Sequence, residues 1–368
     1  IERTAKGRLW ISWIAGGDSE MAYALLAYSD DEGQTWTHPT TVIDPQDIKG
    51  LPPWRVLVGN LWIDPQGRLW FFFDYSMGFF DGRAGTWRII CENPDAEKPV
   101  WSEPERIWHG AVLNKPLVLS NGKWLLPISL WDNTKLWPYI KDRKNLGPKD
   151  FRTMYTNLDP YRGVNIFYSA NAGESWVQIG GVSFPKPDFD EPYIVERLDG
   201  SLWMLARTGD GLYETISTDQ GRTWTVPVPT TNILNTNSRH FLRRLASGNL
   251  ILIKHGQQID RYVDGTTEFK RYQGRSHLSA FLSDDDGKTW KGGLLLDERE
   301  LVTYPDGVQA SDGTIYICYD RDRFAEREIL MAKFTETDVI AGKLVSEGSK
   351  LRILVSKATG ESTEAKAP

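Results

Sequence analysis

Eight residues, Ser29 to Trp36 in "SDDEGQTW", recur as "STDQGRTW" at Ser217 to Trp224 and as "SDDDGKTW" at Ser283 to Trp290, with a looser copy, "SANAGESW", at Ser169 to Trp176. A turn spelled repeatedly along one chain means one structural unit made several times, and such units bury their apolar faces by stacking on one another. Inside the turn the Asp side chain can accept hydrogen bonds from backbone N–H groups, Gly supplies a left-handed residue, and Trp can pack between neighbouring sheets. The repeated turn is therefore a device of the fold, not a seat of chemistry.

A second motif accompanies it: an apolar segment, a Gly-centred turn and another apolar segment. It occurs at Lys6-Gly7, Gln66-Gly67, Asn121-Gly122, Asp199-Gly200, Ser247-Gly248 and Asp312-Gly313. Gly-centred turns between strand-like runs read as hairpins, because the turn needs positive φ. In four units the hairpin is followed by a third strand, such as "YALLAYS" or "HLSAFLS", then by the eight-residue turn and a short fourth strand. The turn has decayed in the second unit to "CENPDAEKPVWSEP", and the sixth ends in "EILMAKFTETDV" without one. Helical periodicity is missing throughout. The pattern predicts an all-β chain: a six-bladed β-propeller of four-stranded antiparallel blades, formed as a single domain by residues 1–357. A long insertion, about residues 131–162 and rich in Trp, Tyr, Lys, Asp and Pro, reads as a loop over one face. Residues 358–368, "ATGESTEAKAP", lack the apolar residues to order themselves and read as a disordered tail.

Bulk properties narrow the function. The net charge of -6, with Lys and Arg spread along the chain, supplies no basic stripe, so nucleic acid is excluded as an expected partner. No apolar run approaches the ~18 residues of a membrane span. Ile1 begins abruptly on a strand-like segment, so we expect a trimmed leader or first strand, and a secreted or periplasmic location. Cys91 and Cys318 lie beside apolar runs and read as packed thiols. The five histidines are scattered, without metal-ligand spacing, so neither a metal nor another cofactor is expected.

In a propeller the first strand of each blade lines the central channel, so polar residues at the ends of the inner strands mark a site. The segments there are "DEPYIVERLDG" from Asp190, "NSRHFLRRLASG" from Asn237 and "TYPDGVQASDG" from Thr303, followed by "WIAGGDSE", "MLARTGDG" and "ICYDRDR". Charge gathered there is costly unless a ligand or partner compensates it. Arg55, Arg239 and Lys115 also precede inner strands and join the candidate substrate contacts, as do His109 and Asn114.

At these segments the chain resembles the sialidase (neuraminidase) family, whose Asp box is the repeated turn and whose bacterial exo-sialidases are six-bladed propellers. "EPYIVERLDGSLWMLAR" resembles the segment that carries the catalytic Glu and an Arg of the substrate-binding triad, which implies these roles for Glu191 and Arg207. "GRSHLSAFLSDDDGKTW" resembles the segment of the next triad Arg, implying Arg275. "YPDGVQASDGTIYICYD" resembles the nucleophile segment and implies Tyr304, with Asp320 in place of the usual Glu that steadies an Arg. "GGDSEMAYALLAYSDDEGQTW" resembles the loop of the acid/base Asp, implying Asp18, with Glu20 in reserve. The family's first triad Arg would fall a few residues before Ile1, and Pro305 stands where the family usually has Ser after the Tyr.

The residue types suit the implied reaction. A sialic acid carries a carboxylate on its anomeric carbon, which an arginine cluster can bind bidentately. A carboxylate nucleophile would be repelled by that group, whereas a neutral phenol is not. The resemblance implies a retaining exo-α-sialidase acting on a glycan with a terminal acidic sugar. A glycosidase or lyase acting on a uronate or ulosonic acid glycan, and a non-catalytic glycan-binding propeller, stand as alternatives.

Overall fold

The computed structural model describes residues 1–17, 19, 21–45, 54–77, 85–132, 156–257 and 274–359. All six hairpins form, and their strands assemble into six antiparallel sheets connected in chain order. Blade 1 runs Glu2–Arg3, Leu9–Ala15, Tyr23–Ser29 and Thr41–Ile43, and blade 6 runs Val302–Gln309, Ile315–Arg321, Glu328–Phe334 and Lys350–Lys357. Blade 2 carries one addition, the two-residue strand Trp54–Arg55, which pairs with Leu69–Met77 beyond the end of Gly59–Ile63. The second strands are buried on both faces, which is why they read as unbroken apolar runs: Phe71, Phe72 and Phe73 are all fully buried.

The repeated turn does what its residues predict. Asp31 accepts hydrogen bonds from the Ser29 hydroxyl (2.7 Å), the Thr35 amide (2.8 Å) and the Thr35 hydroxyl (2.6 Å), and the Ser29 oxygen accepts from the Gly33 amide (2.8 Å). The same set recurs at Asp219 and Asp285. Hydrogen bonds from the Thr223 side chain and backbone hold the Asp219 carboxyl down at about 2. In the looser copy Asn171 takes the Asp position and bonds Ser169 and Ser175. The glycine has a second duty. A Cβ on Gly33 would stand 2.3 Å from Met331 of blade 6, and one on Gly287 would stand 2.7 Å from the Trp203 ring of blade 4. Each turn thus presses its bare backbone against the preceding blade.

Apolar clusters run round the ring. One joins blades 1 and 2 through Trp10 and Phe71, another joins blades 2 and 3 through Trp70 and Trp124, and a third joins blades 3 and 4 through Ile166 and Met204. Blades 4, 5 and 6 share a fourth. The circle closes where Leu9 and Ile11 of blade 1 pack with Tyr316 and Met331 of blade 6. On the axis, the Lys115 ammonium donates to the Ile1 and Leu61 carbonyls and to Glu2, and lies 3.1 Å from Asp306 of blade 6. Arg239 donates to Asn114, Asn60 and the Tyr193 hydroxyl, so one guanidinium links segments of blades 2, 3, 4 and 5.

Where the sixth unit lacks the repeated turn, a short helix, Glu336–Ala341, takes its place between the third and fourth strands. Thr335 and Asp338 cap it reciprocally, and Gly342 ends it in the left-handed conformation. Of the predicted insertion, Trp131, Asp132 and a 3-10 turn at Thr156–Tyr161 are described, and residues 133–155 lie outside the described residues, as do 360–368 of the tail. Cys91 and Cys318 are buried free thiols. Among the described residues no helix is long and apolar enough to cross a membrane.

Candidate active site

The hairpin register of blade 4 positions the first pair of candidate residues. Pro192–Glu196 pairs with Leu202–Thr208, and one step beyond its end the Arg207 amide donates to the Glu191 carbonyl. The two side chains therefore project from neighbouring strands, and Arg207 Nη1 lies 3.1 Å from Glu191 Oε2. The same nitrogen donates to the Tyr304 hydroxyl at 3.3 Å. Nη2 meets Asp188 at 3.3 Å, Nε donates to Asn237 at 2.6 Å, and the guanidinium lies over the Phe189 ring. Burial disfavours a charge here, but Glu191, Tyr304 and Asp188 outweigh it and hold Arg207 more firmly protonated than an ordinary arginine.

Tyr304 sits on the first strand of blade 6 at an irregularity. The pairing with Ile315–Arg321 shifts between Thr303 and Asp306, and Tyr304 adopts φ 54°. A bulky residue in the left-handed region immediately before a proline is strained backbone, and the kink turns the phenol toward Arg207 instead of along the sheet. Two further guanidiniums face its ring: Arg323 with its central carbon 4.4 Å from the ring centroid, and Arg275 at 5.8 Å. Arg275 also donates to the Asn237 carbonyl. Burial pushes its pKa down, and the nearby charges of Arg207 and Arg323 push the same way. Asp320 lies opposite Thr303 in the register, accepts its hydroxyl at 2.6 Å and grips Arg323 Nε at 2.9 Å.

A cavity of about 830 Å³ opens beside this cluster and is lined by Glu191, Arg239, Tyr304, Asp306, Asp320 and Arg323. Its apolar wall is built by Leu57, Val58, Leu113, Trp131 and Phe189, which pack as one group. It extends along the seam between blades 1 and 6, past Trp13 and Trp36 on one side and Ile329 and Val355 on the other.

The structure thus brings together Tyr304, Glu191, Arg207, Arg275 and Asp320. The other candidates are placed differently. Arg239 borders the cavity while its donors serve the hub. Lys115 directs its ammonium entirely to hub carbonyls and carboxylates. Arg55 is fully buried beside Asp74, whose carboxylate accepts the Leu57 and Val58 amides, so Arg55 supports the cavity wall from behind. Asn114 bonds Arg239 and the Pro192 carbonyl, and His109 meets Arg106. Asp18 and Glu20 lie outside the described residues. Sequence reasoning passed over Asp188, Asn237 and Arg323. Asn237 and Arg323 stood inside segments already singled out, and Asp188 lay two residues before one.

Six four-stranded blades, the Asp-box turns that lock them and an arginine-ringed tyrosine beside the axis define a sialidase-like β-propeller. The model of the BNR repeat-like domain matches residues 7–317, and the chain belongs to that family. A sialidase of Paraclostridium sordellii is 24% identical over 325 residues, 81% of this chain and 71% of its own. Among solved structures, a Hadza microbial sialidase aligns over 86% of this chain with a TM-score of 0.60 and 20% identity, and this chain spans 61% of its length. The intramolecular trans-sialidase of Ruminococcus gnavus, solved with oseltamivir carboxylate, aligns over 90% of this chain and 93% of its own with a TM-score of 0.63 and 13% identity. At these identities the structural likeness is one of fold.

Proposed function

We propose that this propeller is a retaining exo-α-sialidase-like glycoside hydrolase that releases a terminal sialic acid from glycans. The observation that carries the reading is the meeting of a phenol, a carboxylate and a guanidinium at one point: Tyr304 and Glu191 share Arg207 Nη1, with Arg275 facing the same phenol. The arginines would hold the sugar carboxylate. The Tyr304 oxygen would attack the anomeric carbon as the glycosidic C–O bond breaks, passing its proton to Glu191. Asp18 would protonate the departing oxygen and then take a proton from the water that cleaves the tyrosyl-sugar bond, returning the product with its configuration retained. The relatives named sialidase support the reading.

The test is release of fluorophore from an α-linked sialoside, with the anomer of the fresh product read by NMR. Wild type should release α-sialic acid first, and Tyr304→Phe should lose turnover while still binding the sugar. A wild-type protein that turns over no sialoside, or a Tyr304→Phe variant of full activity, would sink the proposal.

A further inference from the structure

The strands that hold the candidate active site at one end of the channel frame a second cavity at the other. Pro192–Glu196 starts beside Glu191 and ends, with Leu117–Val118 and Phe241–Arg244, around a space of about 280 Å³ on the side of the hairpin turns. The hub stands between the two cavities: Lys115 borders this one and Asp306 the one beside Tyr304, 3.1 Å apart. Trp62 and Leu117 belong to its apolar wall, and Lys115, Glu196, Arg243 and Arg244 are the charged side chains along it. Lys115 spends its donors on the Ile1 and Leu61 carbonyls and on Glu2. Arg244 is answered by Asp286 and by the Glu196 and Gly248 carbonyls, and Glu196 accepts the Ser120 amide and hydroxyl. Arg243 is different. Among the described residues its charge partner is Glu2, 3.7 Å away, too far for a hydrogen bond and already held by Lys115 at 2.7 Å, and Nη1 is buried without an acceptor. A guanidinium carries five donors, and a buried donor left empty is costly. Around the hub Lys115, Arg239 and Arg243 face the carboxylates of Glu2 and Asp306, and Arg239 donates to the neutral oxygens of Asn114, Asn60 and Tyr193. The far mouth of the channel thus offers an unspent cation at the end of an apolar space.

We propose that this far mouth is a second binding site, for a small aliphatic monocarboxylate whose charge sits on Arg243 and whose alkyl chain lies against Trp62 and Leu117. A guanidinium presents a planar fork matched to a carboxylate. The cavity is larger than a bare ion needs, and its walls favour a short apolar body. This site lies across the hub from the glycan site proposed above and does not depend on sialoside turnover.

The experiment follows the melting temperature of the full chain against sodium acetate, propionate and butyrate, with ionic strength held by sodium chloride so that only the anion changes. Dissociation constants drawn from these curves should fall about 4-fold for each methylene added. Arg243→Gln should weaken binding about 10-fold or more, and Arg243→Lys, which keeps the charge and loses the fork, by several-fold. Arg275→Ala, altered in the cavity on the other side of the hub, should bind the series as wild type does. If Arg243→Gln does not fold, as judged by circular dichroism, Arg243→Lys carries the test. A wild type stabilised no more by the carboxylates than by chloride overturns the proposal, as do Arg243 variants that respond as wild type does. A response lost in Arg275→Ala and kept in Arg243→Gln puts the anion beside Tyr304 and overturns it too.

Discussion

Glu191 and Tyr304 meet at a single atom. Arg207 Nη1 lies 3.1 Å from the carboxylate and 3.3 Å from the hydroxyl, so one cation orients both the group proposed to attack and the group proposed to take its proton. Glu191→Gln keeps the shape and removes the base. Its kcat should fall ~10²- to 10⁴-fold, with KM within a few-fold of wild type. A kcat within tenfold of wild type, measured on the fluorogenic sialoside, would remove Glu191 from the role of base.

A hairpin glycine and an Asp-box glycine of blade 5 allow conformation and crowding to be separated. Gly248 and Gly287 have similar positive φ, 91° and 86°, but a Cβ on Gly248 meets nothing within 4 Å and one on Gly287 meets the Trp203 ring. Gly248→Ala should cost only the backbone penalty of ~1–2 kcal/mol. Gly287→Ala should add ~1–3 kcal/mol of overpacking at the interface of blades 4 and 5. Urea unfolding of the two variants side by side checks the difference, and equal destabilisation would mean that the glycine is there for its turn alone.

At the hub, the Glu2 and Asp306 carboxylates are answered by Lys115, with side-chain exposures of 3%, 10% and 5%. Removing Lys115 leaves two buried carboxylates with less compensation, Glu2 keeping Arg243 at 3.7 Å and Asp306 the Ile1 amino group at 2.6 Å, so Lys115→Met should destabilise the ring by up to ~3–5 kcal/mol despite its greater apolarity. A stable, cooperatively unfolding Lys115→Met protein would show that the hub charges contribute little.

Two histidines set a dependence on acid. Burial, aided by the Arg239 charge, lowers the His240 pKa to about 3, and burial lowers that of His255 to about 3. Both stay neutral in the folded state, while their unfolded counterparts take up a proton near pH ~6.5. Between these values the unfolded chain binds more protons, so stability is complete above pH ~6.5 and falls by ~1.4 kcal/mol per pH unit for each histidine as pH drops toward 3. Thermal melts at stepped pH should show this loss, and His255→Gln should show a shallower slope. An unchanged slope in that variant would locate the acid sensitivity elsewhere.

The blade plan was legible because its signals are local: Gly-centred turns, the Asp at its fixed distance from Gly and Trp, and apolar runs broken at regular intervals. Glu191, Arg207, Tyr304 and Asp320 were singled out by the resemblance of their segments to those of sialidases, and the hairpin register of blade 4 supplies the physical reason that Glu191 and Arg207 meet. Lys115, Arg55 and Arg239 show where that logic ends. Each precedes an inner strand, as a ligand contact would, but which way a side chain turns there depends on the carboxylates and amides that other blades bring to the axis. Arg323 went unnoticed for the converse reason, since its place over Tyr304 arises from a short turn after the strand, which periodicity does not reach. The capped helix Glu336–Ala341 was missed because one short turn of helix leaves no periodic trace.

The cavity lies along the seam where the first blade meets the last, between Trp13 and Trp36 on one flank and Tyr304 to Val355 on the other. Its opposing walls are thus separated by nearly the whole chain, and such contacts form late because the loop they close is long. Individual blades can be complete before any binding site exists. On refolding, recovery of ligand binding should therefore report the joining of the ends of the circle, trailing the appearance of β-structure.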